Sequence, residues 1–449
     1  MAAAPTLSQA VVQKYQDKLR QEQVHPELVG ADHTAEKQKV STLTRVFLPN
    51  QKVQTAGNDL KNTCPNLQHL DLENNPLQGW DAVVDIATQL PDLAFLSLNK
   101  VKLGHLPTNL QDFSALGNIH TLCLSETNIE WSQLLFISKR IPMLTELHFS
   151  GNNVSSLSGS YEGVFERLQI AFLENNSISS WCEIEPLAHL PSLQVLNLSG
   201  NLLREVPSKP MGFASLRHIM LLANPIDSWA SVDALDQFPA LCEVRLAELP
   251  VTREFSGMVA RRMIIARVGR LSVLNGSQVR HRERDDAERF YLRHVSSDCP
   301  DGALPRSGTD SPGTEHSQST ESDEWRRFEQ AHPRWRLLLA KHGEQIRADV
   351  GEKSAGLLGA ELLELTLRAT AAEAAALPPI ARKLPGGLPL KSLKAIACQL
   401  FKLEPVRQKL LYHPPGMEKE IPEPLDDDLK RLCDFGVVSG GSIVVEQEE

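Results

Sequence analysis

Residues Leu193–Leu203 have the sequence LQVLNLSGNLL, which fills every position of the pattern L-x-x-L-x-L-x-x-N-x-L. Eight further stretches of the chain follow the same pattern less completely. The second leucine of the central L-x-L, or its apolar replacement, recurs at positions 48, 72, 98, 124, 149, 173, 198, 221 and 246. Successive positions in that series differ by 23 to 26 residues. A regular period of this length indicates a repeated structural unit.

The pattern is typical of a leucine-rich-repeat solenoid. Side chains alternate along a strand, so each L-x-L would turn its two apolar residues inward and the residue between them outward. The asparagine would bond to backbone groups in the turn that follows. Stacked copies then form one core and one parallel sheet. The sequence predicts an α/β horseshoe over residues 41–295, closed by a C-terminal cap at 254–295.

Four tryptophans recur at one place in the repeat, four or five residues after the asparagine position. They are Trp80, Trp131, Trp181 and Trp229. The apolar residues after the last two have helical spacing. We therefore expect helices on the convex side, with the indole rings packed into the core. The alternative is an aromatic ladder that binds a ligand.

The remaining segments differ in composition from the repeats. Residues 1–40 are polar, with one short amphipathic helix predicted around Val11–Leu19. Residues 296–324 are rich in Ser, Pro, Gly and acidic residues, which predicts a flexible linker. A helical connector is predicted at 325–356.

The last segment, 357–449, has the predicted element order β-β-α-β-β and is similar to ubiquitin. Gly440 and Gly441 precede its final strand, so conjugation through a terminal diglycine is not expected. Leu411 lies on the predicted third strand between two apolar neighbours that alternate with it. It is a candidate surface contact of this domain.

Composition excludes several classes of function. The net charge of −10 argues against general binding of nucleic acid. There is no apolar run of about 18 residues and no secretory leader pattern, so neither a membrane span nor export is expected. The seven cysteines form no C-x-x-C pair, which favours a reducing compartment without disulfides or zinc. Common catalytic motifs are missing, so we predict a binding protein that is not an enzyme and holds no cofactor or metal.

The predicted sheet face is mostly polar, with one apolar patch on three neighbouring strands. Its members are Ile170, Phe172, Val195, Met220 and Leu222. Val195 is expected to lie between Phe172 and Met220. An apolar patch with a polar rim is a candidate partner site. The alternative is that another segment of the chain covers it.

The predicted cap is rich in arginine, which suggests a second candidate surface. The residues are Arg261, Arg262, Arg267, Arg270, Arg280, Arg282, Arg284, Arg289 and Arg293. They would attract an acidic partner. Interleaved acids, including Glu283 and Glu288, favour instead a helix whose charges pair with one another.

Leucine-rich repeats followed by a ubiquitin-like domain are an uncommon pairing, and here the pairing resembles the tubulin-folding cofactor E family. The similarity rests on CPNLQHLDLENNPLQGW (64–80), RRMIIARVGRLSVLNGSQVRHRERDDAERFYLR (261–293), FEQAHPRWRLLLAKHG (328–343) and FGVVSGGSIVV (435–445). The cap stretch is the specific part, because repeats alone match many proteins.

The resemblance implies a cytoplasmic, cytoskeleton-associated protein that engages α-tubulin and assists folding, assembly or dissociation of the αβ-tubulin heterodimer. It also implies that the ubiquitin-like domain contacts another tubulin cofactor or the proteasome. Family members begin with a glycine-rich CAP-Gly domain that recognises acidic C-terminal tails, and this sequence has no such motif. We therefore expect either the family's E-like relative, which lacks that domain, or an incomplete sequence.

Two other functions fit the same domains. One is an adaptor that links a client to the ubiquitin–proteasome pathway. The other is a ciliary or axonemal scaffold, since leucine-rich repeats are frequent there. The cap stretch favours the tubulin-binding function.

Overall fold

The structure is a computed structural model, and it describes residues 4–22, 40–106, 111–300, 320–343, 362–370, 377–416, 422–433 and 435–447. The chain divides into two compact units. The first contains Met1–Pro250 and Arg270–Gln278, and the second contains Val251–Gly269 and Val279–Glu449. Most of the predicted linker, residues 301–319, lies outside the described part of the chain.

The first unit is built on one sheet whose strands follow the order of the sequence, β1 to β11. Nine parallel strands of three residues come one from each predicted repeat: β1 Arg45–Phe47, β2 His69–Asp71, β3 Phe95–Ser97, β4 Thr121–Cys123, β5 Glu146–His148, β6 Ile170–Phe172, β7 Val195–Asn197, β8 His218–Met220 and β9 Glu243–Arg245. β10 (Val273–Leu274) continues parallel to β9, and β11 (Ser277–Gln278) pairs antiparallel with β10. The predicted leucine-rich-repeat fold is confirmed.

The middle residue of each of the nine strands is buried, and the first and third residues lie on the opposite face. In β7, for example, Leu196 has no exposed surface, whereas Val195 is partly exposed. We call the face that carries the first and third residues the concave face. The alternation exists because successive strand side chains point to opposite sides, and only one side has a core to enter.

Buried asparagines join neighbouring repeats. Asn201 Nδ2 donates to Leu198 O in its own repeat and to Leu173 O in the preceding one, each at 2.9 Å. Its Oδ1 accepts from the Ile178 N–H, again in the preceding repeat. The same arrangement links Asn75, Asn176 and Asn224 to the repeats before them. Their role thus extends across repeats, beyond the predicted bond to the turn of one repeat.

Helices and 3₁₀ turns lie between the strands on the other side of the sheet. The helices are Leu60–Thr63, Gly79–Gln89, Trp131–Ser138 and Trp229–Ala234, and the 3₁₀ turns are Val40–Thr42, Gln111–Leu116, Trp181–Glu183, Glu185–His189 and Leu235–Gln237. Trp80, Trp131 and Trp181 are buried, which confirms their predicted core role, whereas Trp229 is only partly buried.

A helix at Leu7–Glu22 packs on the first repeat, so the predicted short N-terminal helix is present and longer than expected. Leu7 and Val11 are fully buried. The Leu7 N–H donates to Thr55 O at 2.8 Å. This helix covers the apolar edge that a first repeat otherwise exposes.

The second unit begins with two helices, Gly257–Arg267 and His281–Val295, which we call the first and second cap helices. Two connector helices follow, at Thr320–Ala331 and at 335–343. Pro333 lies just before the second connector helix. The cap was predicted to belong with the repeats at 254–295, whereas in the structure its two helices belong to the unit that contains the C-terminal domain.

The C-terminal domain has a five-stranded sheet with one helix. Its strands are β12 Leu362–Ala369, β13 Ile380–Pro385, β14 Gln408–His413, β15 Glu423–Leu425 and β16 Ser442–Gln447, and its helix is Leu390–Phe401. The strand order is β13-β12-β16-β14-β15, with β12 and β16 parallel. This is the β-grasp arrangement of ubiquitin, as predicted. The short strand β15 was not among the four strands predicted from the sequence. Among the described residues, no helix is long and apolar enough to cross a membrane.

Candidate protein-binding face and cap contacts

Strand register fixes how the predicted apolar patch is arranged on the concave face. Ile170 lies beside Val195, so these two residues are direct neighbours. Phe172 and Met220 are separated by Asn197, which pairs with both. Leu222 lies two residues beyond Met220, on the same side of the chain. All five patch residues are partly exposed.

One detail of the predicted patch is wrong. We expected Val195 to lie between Phe172 and Met220, but its strand neighbours are Ile170 and His218. The polar Asn197 takes the central place because it occupies the third position of β7. The patch therefore has Phe172 on one side of the Asn197 amide and Met220 with Leu222 on the other, and the Ile170–Val195 pair lies beside them.

Two His–Glu pairs border the patch on opposite sides. His148 Nε2 lies 2.8 Å from Glu146 Oε1, and the His148 ring stacks on Phe172 at 4.6 Å between centroids. On the other side, His218 Nε2 lies 3.1 Å from Glu243 Oε2. Both pairs are partly exposed. The apolar residues thus have hydrogen-bonding groups at both edges, as protein-binding surfaces commonly do.

A second set of ring contacts lies on the concave face of the first three repeats. His69 stacks on Phe95 with centroids 3.7 Å apart and is 5.0 Å from Phe47. Phe47 is 44% exposed. Sequence reasoning missed this cluster because it compared the third strand position in all nine repeats but the first position only at the patch. Comparing the first position as well would have placed His69 and Phe95 side by side.

Leu411, the predicted contact of the ubiquitin-like domain, lies on β14 but is only 8% exposed. His413 on the same face of the strand is also buried. Leu410 and Tyr412 fill the domain core on the other face, so both faces of this part of β14 are buried. A partner would reach Leu411 only after this surface is uncovered, so its role as a contact stays a prediction.

The arginines of the cap mostly bond within the second unit. Arg261 pairs with Glu283 at 2.6 Å, and Arg289 pairs with Asp286 at 2.5 Å. Arg284 Nη1 donates to the Ile265 carbonyl of the first cap helix. These contacts favour the interpretation that the cap pairs its own charges over one in which it attracts an acidic partner.

The ubiquitin-like domain is built partly on the first cap helix. Met258 of that helix belongs to the same buried cluster as Tyr412, Phe435 and Val437. Its neighbour Arg262 is buried and donates from Nη1 to Gly436 O at 2.5 Å. Gly436 has φ +73°, and a Cβ there would lie 2.9 Å from Arg262 Nη1. Burial raises the pKa of the nearby Glu423 carboxyl, although bonding from the Met258 backbone and the Arg262 charge oppose the shift.

A buried ion-pair network joins the second cap helix to the second connector helix. Glu288 is 2% exposed and lies 2.8 Å from both Lys341 Nζ and His342 Nε2. Burial acts to raise the pKa of Glu288, but the hydrogen bonds from Lys341 and His342 outweigh it and leave the pKa below its usual range. The contacts fix the connector against the cap.

The same network contains the one group of possible metal ligands found among the described residues. Donor atoms of Asp285, Glu288 and His342 lie within 4.8 Å of one another. The Lys341 ammonium already bonds both carboxylates, at 2.9 and 2.8 Å. Its positive charge takes the role that a cation would have, so we interpret the group as an ion-pair network.

His332, just after the first connector helix, is a buried histidine whose protonation is linked to the stability of the second unit. Burial, with help from the Arg267 charge, lowers the pKa of His332 to about 4, and Tyr291 Oη lies 2.7 Å from its Nδ1. An unfolded histidine has a pKa of about 6.5 and takes up a proton first. The stabilising contribution of neutral His332 is therefore complete above pH 6.5 and is lost as the pH falls towards 4.

We expect protonation of His332 in the unfolded state to lower the free energy of unfolding of the second unit by about 2 kcal/mol between pH 6.5 and pH 5. Denaturant titrations monitored through the tryptophans would measure it. His332→Gln keeps a hydrogen-bond acceptor but cannot titrate, so the variant should show a smaller slope with pH. If the free energy of unfolding changes with pH equally in the two proteins, His332 is not the group responsible.

Comparisons with known proteins agree with this architecture. The family description "Leucine Rich Repeat" matches residues 66–83. Tubulin-folding cofactor E of Arabidopsis thaliana is 31% identical over 439 residues, covering 94% of this chain and 78% of the relative. Tubulin-specific chaperone E of Danio rerio is 30% identical over 431 residues, covering 93% and 79%. A solution structure of the C-terminal ubiquitin-like domain of mouse tubulin-specific chaperone E matches with 22% identity and a TM-score of 0.19, covering 21% of this chain and 95% of that one.

The fold defines a leucine-rich-repeat protein with a C-terminal ubiquitin-like domain, and its candidate site is a partly apolar sheet face. Both relatives align over more than nine-tenths of this chain, so the similarity includes the repeats, the cap and the C-terminal domain together. The chain belongs to the tubulin-folding cofactor E family.

Proposed function

We propose that this protein is a tubulin chaperone that binds α-tubulin through the concave face of its repeats and assists folding, assembly or dissociation of the αβ-tubulin heterodimer. The names of the aligned relatives support the choice of tubulin. The partly exposed patch at Ile170, Phe172, Val195, Met220 and Leu222 supports the choice of face. It is the observation that carries the proposal, because it places five partly exposed apolar side chains on or just beyond three neighbouring strands.

The mechanism is stoichiometric binding without catalysis. The repeats present a wide sheet face whose backbone is held by the core, so a folded subunit meets a preformed surface. Such a surface loses little conformational entropy on binding. The ubiquitin-like domain would contact another tubulin cofactor or the proteasome. In this proposal that contact involves surface other than the part held by Met258 and Arg262.

Gel filtration of the purified chain with αβ-tubulin tests the proposal. We expect a new complex that contains α-tubulin, or loss of the intact heterodimer. If tubulin elutes unchanged while the chain binds proteasomes, the adaptor function replaces the proposal. If the chain binds neither and associates with axonemes, the scaffold function replaces it.

Phe172→Asp should weaken tubulin binding at least tenfold, because it places a charge inside the apolar part of the interface. Phe136→Asp is the matched control, since Phe136 is 45% exposed on the helix Trp131–Ser138 behind the sheet. Surface-bound tubulin and biolayer interferometry would give both dissociation constants. Equal affinities for the two variants, with both folded, would remove the patch from the interface. Met220→Asp should behave like Phe172→Asp.

A further inference from the structure

The concave face around the patch carries an excess of negative charge. On β5 to β9, the outward positions are the first and third strand residues and the residue two places further on. Among these fifteen positions the acids are Glu146, Glu174 and Glu243, and the single lysine or arginine is Arg245. Three carboxylates against one guanidinium leave a surplus of negative charge, and the patch lies inside it.

Glu174 lies closest to the centre of the patch. It follows Phe172 by two residues, accepts a hydrogen bond from Ser150 Oγ at 2.5 Å and accepts another from Asn197 Nδ2. Asn197 is the amide between Phe172 and Met220. The donors that hold this carboxylate are neutral groups, so they orient it without cancelling its charge.

The other two carboxylates mark the edges. Glu146 pairs with Ile170 across the strands, and Glu243 pairs with His218. Arg245, the one base, is 3.9 Å from Glu243 at the outer edge of the patch and 46% exposed. No lysine or arginine occupies an outward position on β5 to β8. Arg245 lies beside Met220 on the β9 side, so a partner with acidic groups would be repelled by Glu146 and Glu174 on the other sides of the apolar centre.

We infer that the partner surface bound by this face is an apolar segment bordered by lysine or arginine side chains. The inference rests on the proposed function, and it specifies which part of tubulin is bound: a basic, apolar surface of the folded subunit, and not an acidic C-terminal tail. Carboxylates around an apolar centre steer such a surface during encounter, mainly by raising the association rate.

The test compares charge variants in tubulin binding, measured by stopped flow at about 50 mM salt. The triple variant E146Q/E174Q/E243Q should associate about three- to tenfold more slowly than the unaltered chain. The control E162Q/E185Q/E205Q removes the same charge from exposed positions outside the strands and should associate at nearly the original rate. Raising the salt concentration should slow the unaltered chain towards the rate of the triple variant.

Two further measurements remain informative even if the triple variant does not fold. Arg245→Gln removes the single base and should speed association. Tubulin freed of its acidic tails by proteolysis should bind at least as fast as whole tubulin. A complex that forms at the same rate in the test and control variants, or that requires the tails, overturns this inference alone. No complex at any salt concentration overturns the proposed function together with it.

Discussion

Asn201→Leu should lower the free energy of unfolding of the repeat unit by about 3 kcal/mol. The side chain makes two donor bonds of 2.9 Å, to Leu173 O and Leu198 O, and accepts one of 3.1 Å from Ile178 N. Leucine has similar volume but leaves the buried Ile178 N–H without an acceptor, and it removes one of two donors from Leu173 O and Leu198 O, which keep Asn176 and Asn224. The orphaned N–H costs about 1–3 kcal/mol and each lost hydrogen bond about 0.5–1.5 kcal/mol, with part of the sum offset by relaxation.

Urea denaturation followed by circular dichroism would measure the effect. Asn118→Leu is the matched control, because Asn118 is exposed and makes one bond, to Pro91 O at 2.9 Å. We expect the control to change the free energy of unfolding by less than about 1 kcal/mol. Similar midpoints for the two variants would show that the asparagines do not hold neighbouring repeats together.

Met258→Asp should destabilise the C-terminal domain by about 4 kcal/mol, although Met258 lies more than 100 positions before that domain begins. The residue is 5% exposed and belongs to the buried cluster that includes Tyr412, Phe435 and Val437. The substitution removes apolar volume and buries a carboxylate within a cluster of apolar side chains. Both effects destabilise the ubiquitin-like domain as well as the first cap helix, because they share this cluster.

Hydrogen exchange of the amides in β14 would report the loss locally. We expect faster exchange in Met258→Asp than in the unaltered chain. Met211→Asp is the control, because Met211 is 77% exposed in the repeat unit. Unchanged exchange in β14 of the Met258 variant would mean that the domain keeps its stability without the cap helix.

The fold of the repeat unit was almost fully predictable from the sequence, because its pattern lies within short stretches of the chain and occurs nine times. Nine copies of one pattern fixed the strand positions, and each copy needed only its own leucines to identify its buried face. The hydrogen bond from Asn201 to Leu173 could not be predicted in the same way. The asparagine was expected to serve its own turn, and only stacking shows that the carbonyl of the preceding repeat is within reach.

The second unit was harder because its decisive contacts join distant parts of the chain. The sequence predicted a cap at 254–295 that closes the repeats, but periodicity does not say against which element a helix packs. Met258 therefore seemed to belong to the repeats. Leu411 failed as a surface residue for the same reason, since alternation along a strand describes the strand and not what covers it.

The candidate patch was predictable in membership but not in arrangement. Reading the third strand position found Phe172 and Met220, and the structure placed Asn197 between them. The charge around the patch emerged only when Glu146, Glu174 and Glu243 were placed by register. A sequence shows which residues face outward, whereas the distances between strands decide which of them act together.

The series of asparagine bonds between repeats is interrupted at one place. Position 101 is valine and position 127 is threonine, whose hydroxyl bonds to Leu124 in its own repeat. Two other side chains link the repeats there: Asn99 Oδ1 accepts from Ser125 N at 2.8 Å, and Lys100 lies 2.7 Å from Glu73 and 4.0 Å from Glu126. These partly exposed contacts hold the repeats less strongly than a buried amide, so we expect a solenoid pulled at its two ends to open first near its third repeat. The repeats that carry Phe172 lie C-terminal to that point and should keep their shape while the first repeats unfold.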